Sequence, residues 1–243
     1  MNNLKNLRIR FFSLVLLLSM ISFSFAQEIQ ANFKKTVSLE AELGYVLDYP
    51  KDTKSAVPLI VFLHGSGERG SNLEMVKAHS PFTYKELIKE PVAILAPQCP
   101  ANEWWDTEAV YALIQEIISK YNIDSSRIHL SGLSMGGWGS WKLANEHPEM
   151  FASLSVVCGP SDRWMQATAH KYKDLPIRIS HGGNDDIVSP MASIEMYQVI
   201  RKINPNVSLT IFPDDNHNSW DSTYSNPEFY TWMLANKKTK IIE

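Results

Sequence analysis

Cysteine is nearly missing: the chain has two in 243 residues, Cys99 and Cys158. A dense disulfide framework is excluded, and one bridge is the most the chain can form. Positive charge is not in excess. Lys and Arg number 23 against 26 Asp and Glu, a net charge of −3, which argues against nucleic acid or an anionic membrane surface as a partner. Internal repeats, low-complexity tracts and linkers are lacking. Long hydrophobic runs are lacking too: the most apolar stretch, Phe11 to Phe25, is broken by serines and falls short of the ~20 residues of a membrane span.

That stretch has another reading. It follows Lys5, Arg8 and Arg10 with no acid among them, and Ser24-Phe25-Ala26 puts small residues three and one positions before a cut after Ala26. This is the layout of a secretory signal peptide over residues 1–26, so the protein is expected to be secreted or periplasmic and free of the membrane after cleavage. A membrane anchor is the alternative. No cysteine lies near the cut, which argues against a lipid-modified N-terminus. Removing the three cations leaves 20 Lys and Arg against 26 acids, a net charge of −6. The remaining 27–243 suffice for one domain with a large core.

Strand candidates run at 33–39, 43–49, 58–64, 92–97, 127–133, 152–158, 176–181 and 207–212. Several are apolar almost throughout, such as LIVFLH, SLSVVCG and LTIFP, which suits strands covered on both faces in a parallel sheet. Helix candidates lie between them. In 106–121, Val110, Leu113, Ile114, Ile117 and Ile118 recur at helical spacing; 190–203 and 226–235 also read as helices. Strands alternating with helices imply right-handed crossovers and a ligand at the carboxyl ends of the strands.

The segment after the fifth of these strands concentrates glycine: IHLSGLSMGGWGSW, residues 128–141. Gly132-Leu133-Ser134-Met135-Gly136 matches G-x-S-x-G between a buried strand and the helix 138–147. A serine there sits on a strained turn, with glycine where side chains would collide with the neighbouring strand and helix. The bland reading is a glycine-rich turn without chemistry. A serine hydroxyl needs a base, and the base needs an orienting acid. PIRIS is followed by His181-Gly-Gly-Asn-Asp185-Asp186, and LTIFP by Asp214-Asp215-Asn216-His217. His217 is the candidate base, and the acid is Asp185 or Asp186; a turn aspartate and a solvated loop histidine are the alternatives. The oxyanion needs fixed N–H donors. Met135, after the serine, supplies one; Ser66 in VFLHGSGERG supplies the second, with Gly67 as runner-up. His64 reads as structural, packed under that loop.

LHGSGERG, APQCP, EWWD, DSSRIHLSGLSMGGWGSW, HGGNDDIV and HNSWDSTY resemble, over essentially the whole of 27–243, secreted esterases of the α/β-hydrolase fold. The group is labelled phospholipase/carboxylesterase or predicted peptidase, and is similar to polyhydroxybutyrate depolymerase-like and feruloyl-esterase-like carbohydrate esterases. The resemblance implies a mostly parallel eight-stranded sheet with helices on both faces and one catalytic domain. It implies Ser134 as nucleophile, His217 as base, and the N–H groups of Ser66 and Met135 as oxyanion hole. Its spacing puts the acid four residues after the histidine of the H-G pair, at Asp185. The activity implied is hydrolysis of a small-molecule or polysaccharide-linked ester, with no metal and no cofactor. A serine peptidase and a catalytically silent carbohydrate-binding module are the competing readings.

Tryptophans follow several strands. Trp104, Trp105 and Trp164 are expected as walls for a sugar or phenolic ring because their loops lead out of the sheet, whereas Trp138 and Trp141 fit core packing. Only about sixteen residues separate Gly159 from the next strand, so no large lid is expected and the site is open. In the usual strand order of this fold, Cys99 and Cys158 lie three inter-strand steps apart, about 14 Å, beyond the reach of a disulfide.

Overall fold

In the computed structural model, residues 40–51 and 53–238 are described, nearly all in the compact unit Ala41–Glu243. The expected signal peptide and the expected strand at 33–39 lie outside the described residues. Seven strands occur among those described: β1 (Tyr45–Asp48), β2 (Val57–Leu63), β3 (Ala93–Pro97), β4 (Ile123–Leu133), β5 (Ser153–Val157), β6 (Ile177–Gly182) and β7 (Val207–Phe212). They form one sheet in the order β1-β3-β2-β4-β5-β6-β7. Every pairing is parallel except β1 with β3, where Tyr45 faces Pro97. Among the described residues the sheet thus has seven strands; of the eight expected, the one at 33–39 falls outside them.

The apolar runs are buried on both faces because the side chains alternate between two cores. Leu59, Val61 and Leu63 of β2 enter one core, with α1 (Thr107–Lys120), α2 (Met135–Glu146) and α4 (Met191–Ile200). Ile60 and Phe62 enter the other, with α5 (Trp220–Tyr224) and α6 (Pro227–Ala235). Helix α1 begins where the Asp106 side chain accepts from the N–H groups of Glu108 and Ala109, and it buries Val110, Leu113, Ile114 and Ile117. Between β5 and β6 lie only a short helix, α3 (Arg163–Ala167), and the 3₁₀ turn Ala169–Tyr172, so no large lid covers the strand ends there.

Cys99 and Cys158 are both free and buried. They follow β3 and β5, which β2 and β4 separate. Among the described residues no helix is long and apolar enough to cross a membrane.

Candidate active site

Ser134 lies between the last residue of β4 and the first of α2. Its φ of 52° and ψ of −121° are a conformation that L-residues rarely take. The turn is fastened from both sides: Ser134 N–H donates to Val157 O at 2.9 Å, and Trp138 N–H to Ser134 O at 3.1 Å. A Cβ on Gly132 would overlap the Gly136 carbonyl, and one on Gly136 would overlap the Leu63 carbonyl. The two glycines of the motif let strand, helix and neighbouring strand approach closely enough to force this turn.

His217, in the loop after β7, brings Nε2 to 3.0 Å from Ser134 Oγ and Nδ1 to 2.8 Å from Asp185 Oδ2. A carboxylate only accepts, so Nδ1 carries the hydrogen and Nε2 presents its lone pair to the serine hydroxyl. Asp185 is buried while Asp186 is exposed; the structure brings the first of the two to the histidine. Asp185 Oδ1 accepts from the N–H groups of Ile187 and Val188, both at 2.9 Å. His181 Nε2 lies 3.1 Å from Oδ2. Burial alone would raise this carboxyl, but the hydrogen bonds from His217, Val188 and Ile187 outweigh it and hold Asp185 below the ordinary carboxylate value.

The two strand-end loops meet because residues 182–184 permit it. A Cβ on Gly182 would overlap the Asn216 carbonyl. Gly183 N–H donates to Phe212 O at 2.7 Å, and Asn184 N–H to Asp215 O at 2.9 Å. His181 stands behind the acid, fully buried. Its Nε2 reaches Val188 O at 2.9 Å, so that nitrogen bears the hydrogen, and its Nδ1 accepts from Ser193 Oγ at 2.7 Å.

The loop after β2 passes over the serine: a Cβ on Gly65 would stand 3.6 Å from Ser134 Cβ. Neither Ser66 N–H nor Met135 N–H donates to a backbone carbonyl outside its own helix among the described residues. The segment after β3 holds this loop. Cys99 N–H donates to His64 Nε2 at 3.0 Å, which makes His64 Nδ1 the donor to Gly65 O at 2.6 Å. Burial drives the His64 pKa down to about 4 and keeps the ring neutral. Gln98 Nε2 donates to Glu68 O at 2.8 Å and Asn72 O at 3.0 Å. Arg69 reaches Ser66 O at 3.0 Å and Glu103 O at 3.2 Å rather than pairing with Glu68.

The tryptophans divide. Trp105 does not line an open pocket, contrary to expectation. It is buried, it packs where Gly139 leaves room, and its indole N–H donates to His64 O at 3.3 Å. Trp104 is 57% exposed and meets Trp138 edge-on at 5.2 Å. Trp164, on α3, is 47% exposed. Trp220 meets His217 edge-on at 5.5 Å. Sequence reading gave no role to His181, Gln98 or Cys158. The available signal was their position, at or just after the carboxyl ends of buried strands.

Comparison with known proteins adds to this geometry. A profile of the phospholipase/carboxylesterase family matches residues 105–226. A bifunctional acetylxylan esterase/xylanase from Neocallimastix patriciarum is 31% identical over 84 residues, 35% of this chain and 12% of that protein. A probable acetylxylan esterase A from Aspergillus terreus is 26% identical over 135 residues, 48% of this chain and 43% of that protein. The crystal structure of a thermostable esterase superposes with a TM-score of 0.74 and 32% identity, covering 82% of this chain and 60% of that one. The chain therefore spans less than two thirds of each of these relatives. Together with the sheet order, the match gives an α/β-hydrolase fold.

Proposed function

The chain belongs to the phospholipase/carboxylesterase family, and from that premise we propose that it is a secreted serine esterase, cleaving short acyl or phenolic esters carried on carbohydrate. The observation that carries this reading is the continuous hydrogen-bonded chain from Ser134 through His217 to Asp185. Ser134 Oγ attacks the ester carbonyl carbon while its proton passes to His217 Nε2. The carbonyl oxygen becomes negative and is met by the N–H groups of Met135 and Ser66. When the C–O bond breaks, His217 returns the proton to the departing alcohol and the acyl group remains on Ser134. A water then repeats the sequence and releases the acid. Asp185 stays ionised, holds the Nδ1–H tautomer and stabilises the transient imidazolium.

The substrate class rests on two supports. Exposed Trp104 and Trp164 offer flat apolar faces near the strand ends, and the fungal relatives' names carry acetylxylan esterase activity. Export rests on the signal-peptide pattern of residues 1–26, with 27–243 as the exported catalytic domain.

The test is a panel of acetyl, feruloyl, butyryl and long-chain esters together with acetylated xylan oligosaccharides, run on the wild type and Ser134→Ala. Acetyl or feruloyl release that disappears in Ser134→Ala is expected. Preference for long-chain lipids would overturn the substrate class, and cleavage of peptide amides with esters untouched would overturn the esterase.

A further inference from the structure

We propose that Cys158, Asp185 and His217 form an inhibitory binding site for a thiophilic divalent cation, of the zinc and cadmium class, in which the ion and the catalytic arrangement exclude one another. The inhibitory part rests on the proposed role of His217; the site itself rests on geometry.

Cys158 directly follows β5, the neighbour of the strand that carries the elbow. Its N–H donates to Ser180 O at 2.8 Å, while the preceding carbonyl, Val157 O, accepts from Ser134 N–H. The residue is thus pinned between the nucleophile turn and β6, at a positive φ of 42°. Its thiol is in no disulfide, and the ester chemistry makes no use of it. One donor atom from each of Cys158, Asp185 and His217 lies within 4.8 Å of the other two. Tetrahedral coordination with bonds of roughly 2.0–2.3 Å requires donors about 3.5 Å apart, so the three converge on one ion with movements of about 1 Å. One sulfur, one imidazole nitrogen and one carboxylate oxygen suit zinc or cadmium and disfavour magnesium and calcium, which take oxygen donors.

The consequence for the base follows from the tautomer. In the free protein Nδ1 of His217 carries the hydrogen and Nε2 faces Ser134. Nδ1 is the ring nitrogen beside Asp185, so an ion shared with that carboxylate takes the lone pair there and the hydrogen moves to Nε2. A ring with N–H pointing at Ser134 Oγ has nothing with which to accept the serine proton. In balance, the cation replaces the thiol proton of Cys158, which goes to solvent; the neutral imidazole keeps one proton and only changes which nitrogen holds it. No redox step is involved. Cys158 and Asp185 are buried and His217 is partly exposed, so the ion enters past the imidazole and the onset is slow.

The probe is cadmium, read by two signals on the same samples: the thiolate-to-cadmium charge-transfer band in the ultraviolet, and ester turnover. The wild type is expected to develop the band while kcat falls with KM held, both reversed by a chelator. Cys158→Ser and Cys158→Ala lose the band and keep turnover in the presence of cadmium, whereas Cys99→Ser keeps the band. Absence of the band in the wild type, or unchanged inhibition in both folded Cys158 variants, overturns the site. A Cys158-dependent band in a protein without ester turnover upholds the site and overturns the proposed function instead.

Discussion

On one side of Ser134 the loop after β2 is fastened mostly by neutral groups, the His64 ring, the Gln98 amide, the Trp105 indole and backbone amides, with the Arg69 guanidinium on Ser66 O as the one charged group among them. On the other side the loops after β6 and β7 gather around a buried carboxylate that meets four donors. The difference follows from the charge each side has to handle. In the proposed mechanism an oxyanion develops beside the first, where a fixed negative group would oppose it and pre-oriented N–H dipoles favour it. In the same mechanism an imidazolium develops beside the second, where a fixed negative group is what the reaction needs. Each side has a buried histidine behind it, used in opposite ways: His64 accepts a backbone N–H, and His181 donates toward the carboxylate.

The largest effect expected is on the charged side. Asp185→Asn keeps the shape, but it removes the charge and allows the wrong His217 tautomer, so kcat should fall by about 10⁴-fold in a protein that still folds. Asp186→Asn, at an exposed residue, should stay near wild type. Equal losses in the two variants, measured on one small ester, would break the assignment of the charge to Asp185.

On the neutral side, His64→Leu fills a similar space but gives Cys99 N–H no acceptor and Gly65 O no donor. The loop carrying Ser66 N–H then loses its anchor. A loss of about 10²-fold in kcat is expected, the scale of one oxyanion donor, with KM changed much less. If His64→Leu raised KM alone, the loop would serve ground-state binding, and the contrast between the two sides would need restating.

Much of this contrast could be read in the sequence because it depends on local covalent pattern. The elbow needs glycine at 132 and 136, and acid and base follow later strands in fixed order. The choice between Asp185 and Asp186 was not available from the residues themselves: both follow the same turn, and a one-residue difference in which side chain faces inward is set by how 182–184 dock on the loop after β7. Trp105 was misread for a related reason. It and Trp104 are adjacent and alike, and only the space left by Gly139 across the helix decides which ring is buried. The expected strand at 33–39 lies outside the described residues. A contact such as Cys158 with His217 joins separate strand ends and leaves no mark in any single motif.

Acid separates the two sides in another way. His64 has its pKa lowered from the ordinary 6.5 to about 4 by burial. At neutral pH both folded and unfolded chains hold this ring uncharged. As pH falls below 6.5 the unfolded chain takes up the proton first, so folded stability declines until about pH 4, by up to ~3 kcal/mol. Burial also lowers His181, and lowers His129 of β4 to about 3, so these add to the same decline. Asp185 acts in a different window: its pKa is below 3.8 in the folded state, so its stabilising contribution is present above that value and is lost only as pH drops further. Melting temperature measured from pH 7 to pH 4 should therefore fall, and fall less steeply in His64→Leu than in the wild type. An equal slope in both would mean that the His64 ring is not held neutral.

The smallest effect expected is at the neutral side's outer rim, where adjacent tryptophans provide an internal control. Trp104 is mostly exposed and touches Trp138 edge-on; its replacement by Ala removes a face that a bound ring can cover, and little packing. KM for feruloyl or xylan-linked esters should rise severalfold while turnover of a small acetyl ester and the melting temperature hold, because the reacting groups are untouched. Trp105→Ala opens a cavity beneath the oxyanion loop and takes a donor from His64 O, so it should cost about 3–5 kcal/mol of stability and depress every substrate together. Both kinetic constants and the melting temperature, measured for the pair, separate a wall from a support. If Trp104→Ala left bulky and small esters equally affected, the exposed ring would not be a substrate wall, and the preference for carbohydrate-linked or phenolic esters over simple ones would lose its support in this loop.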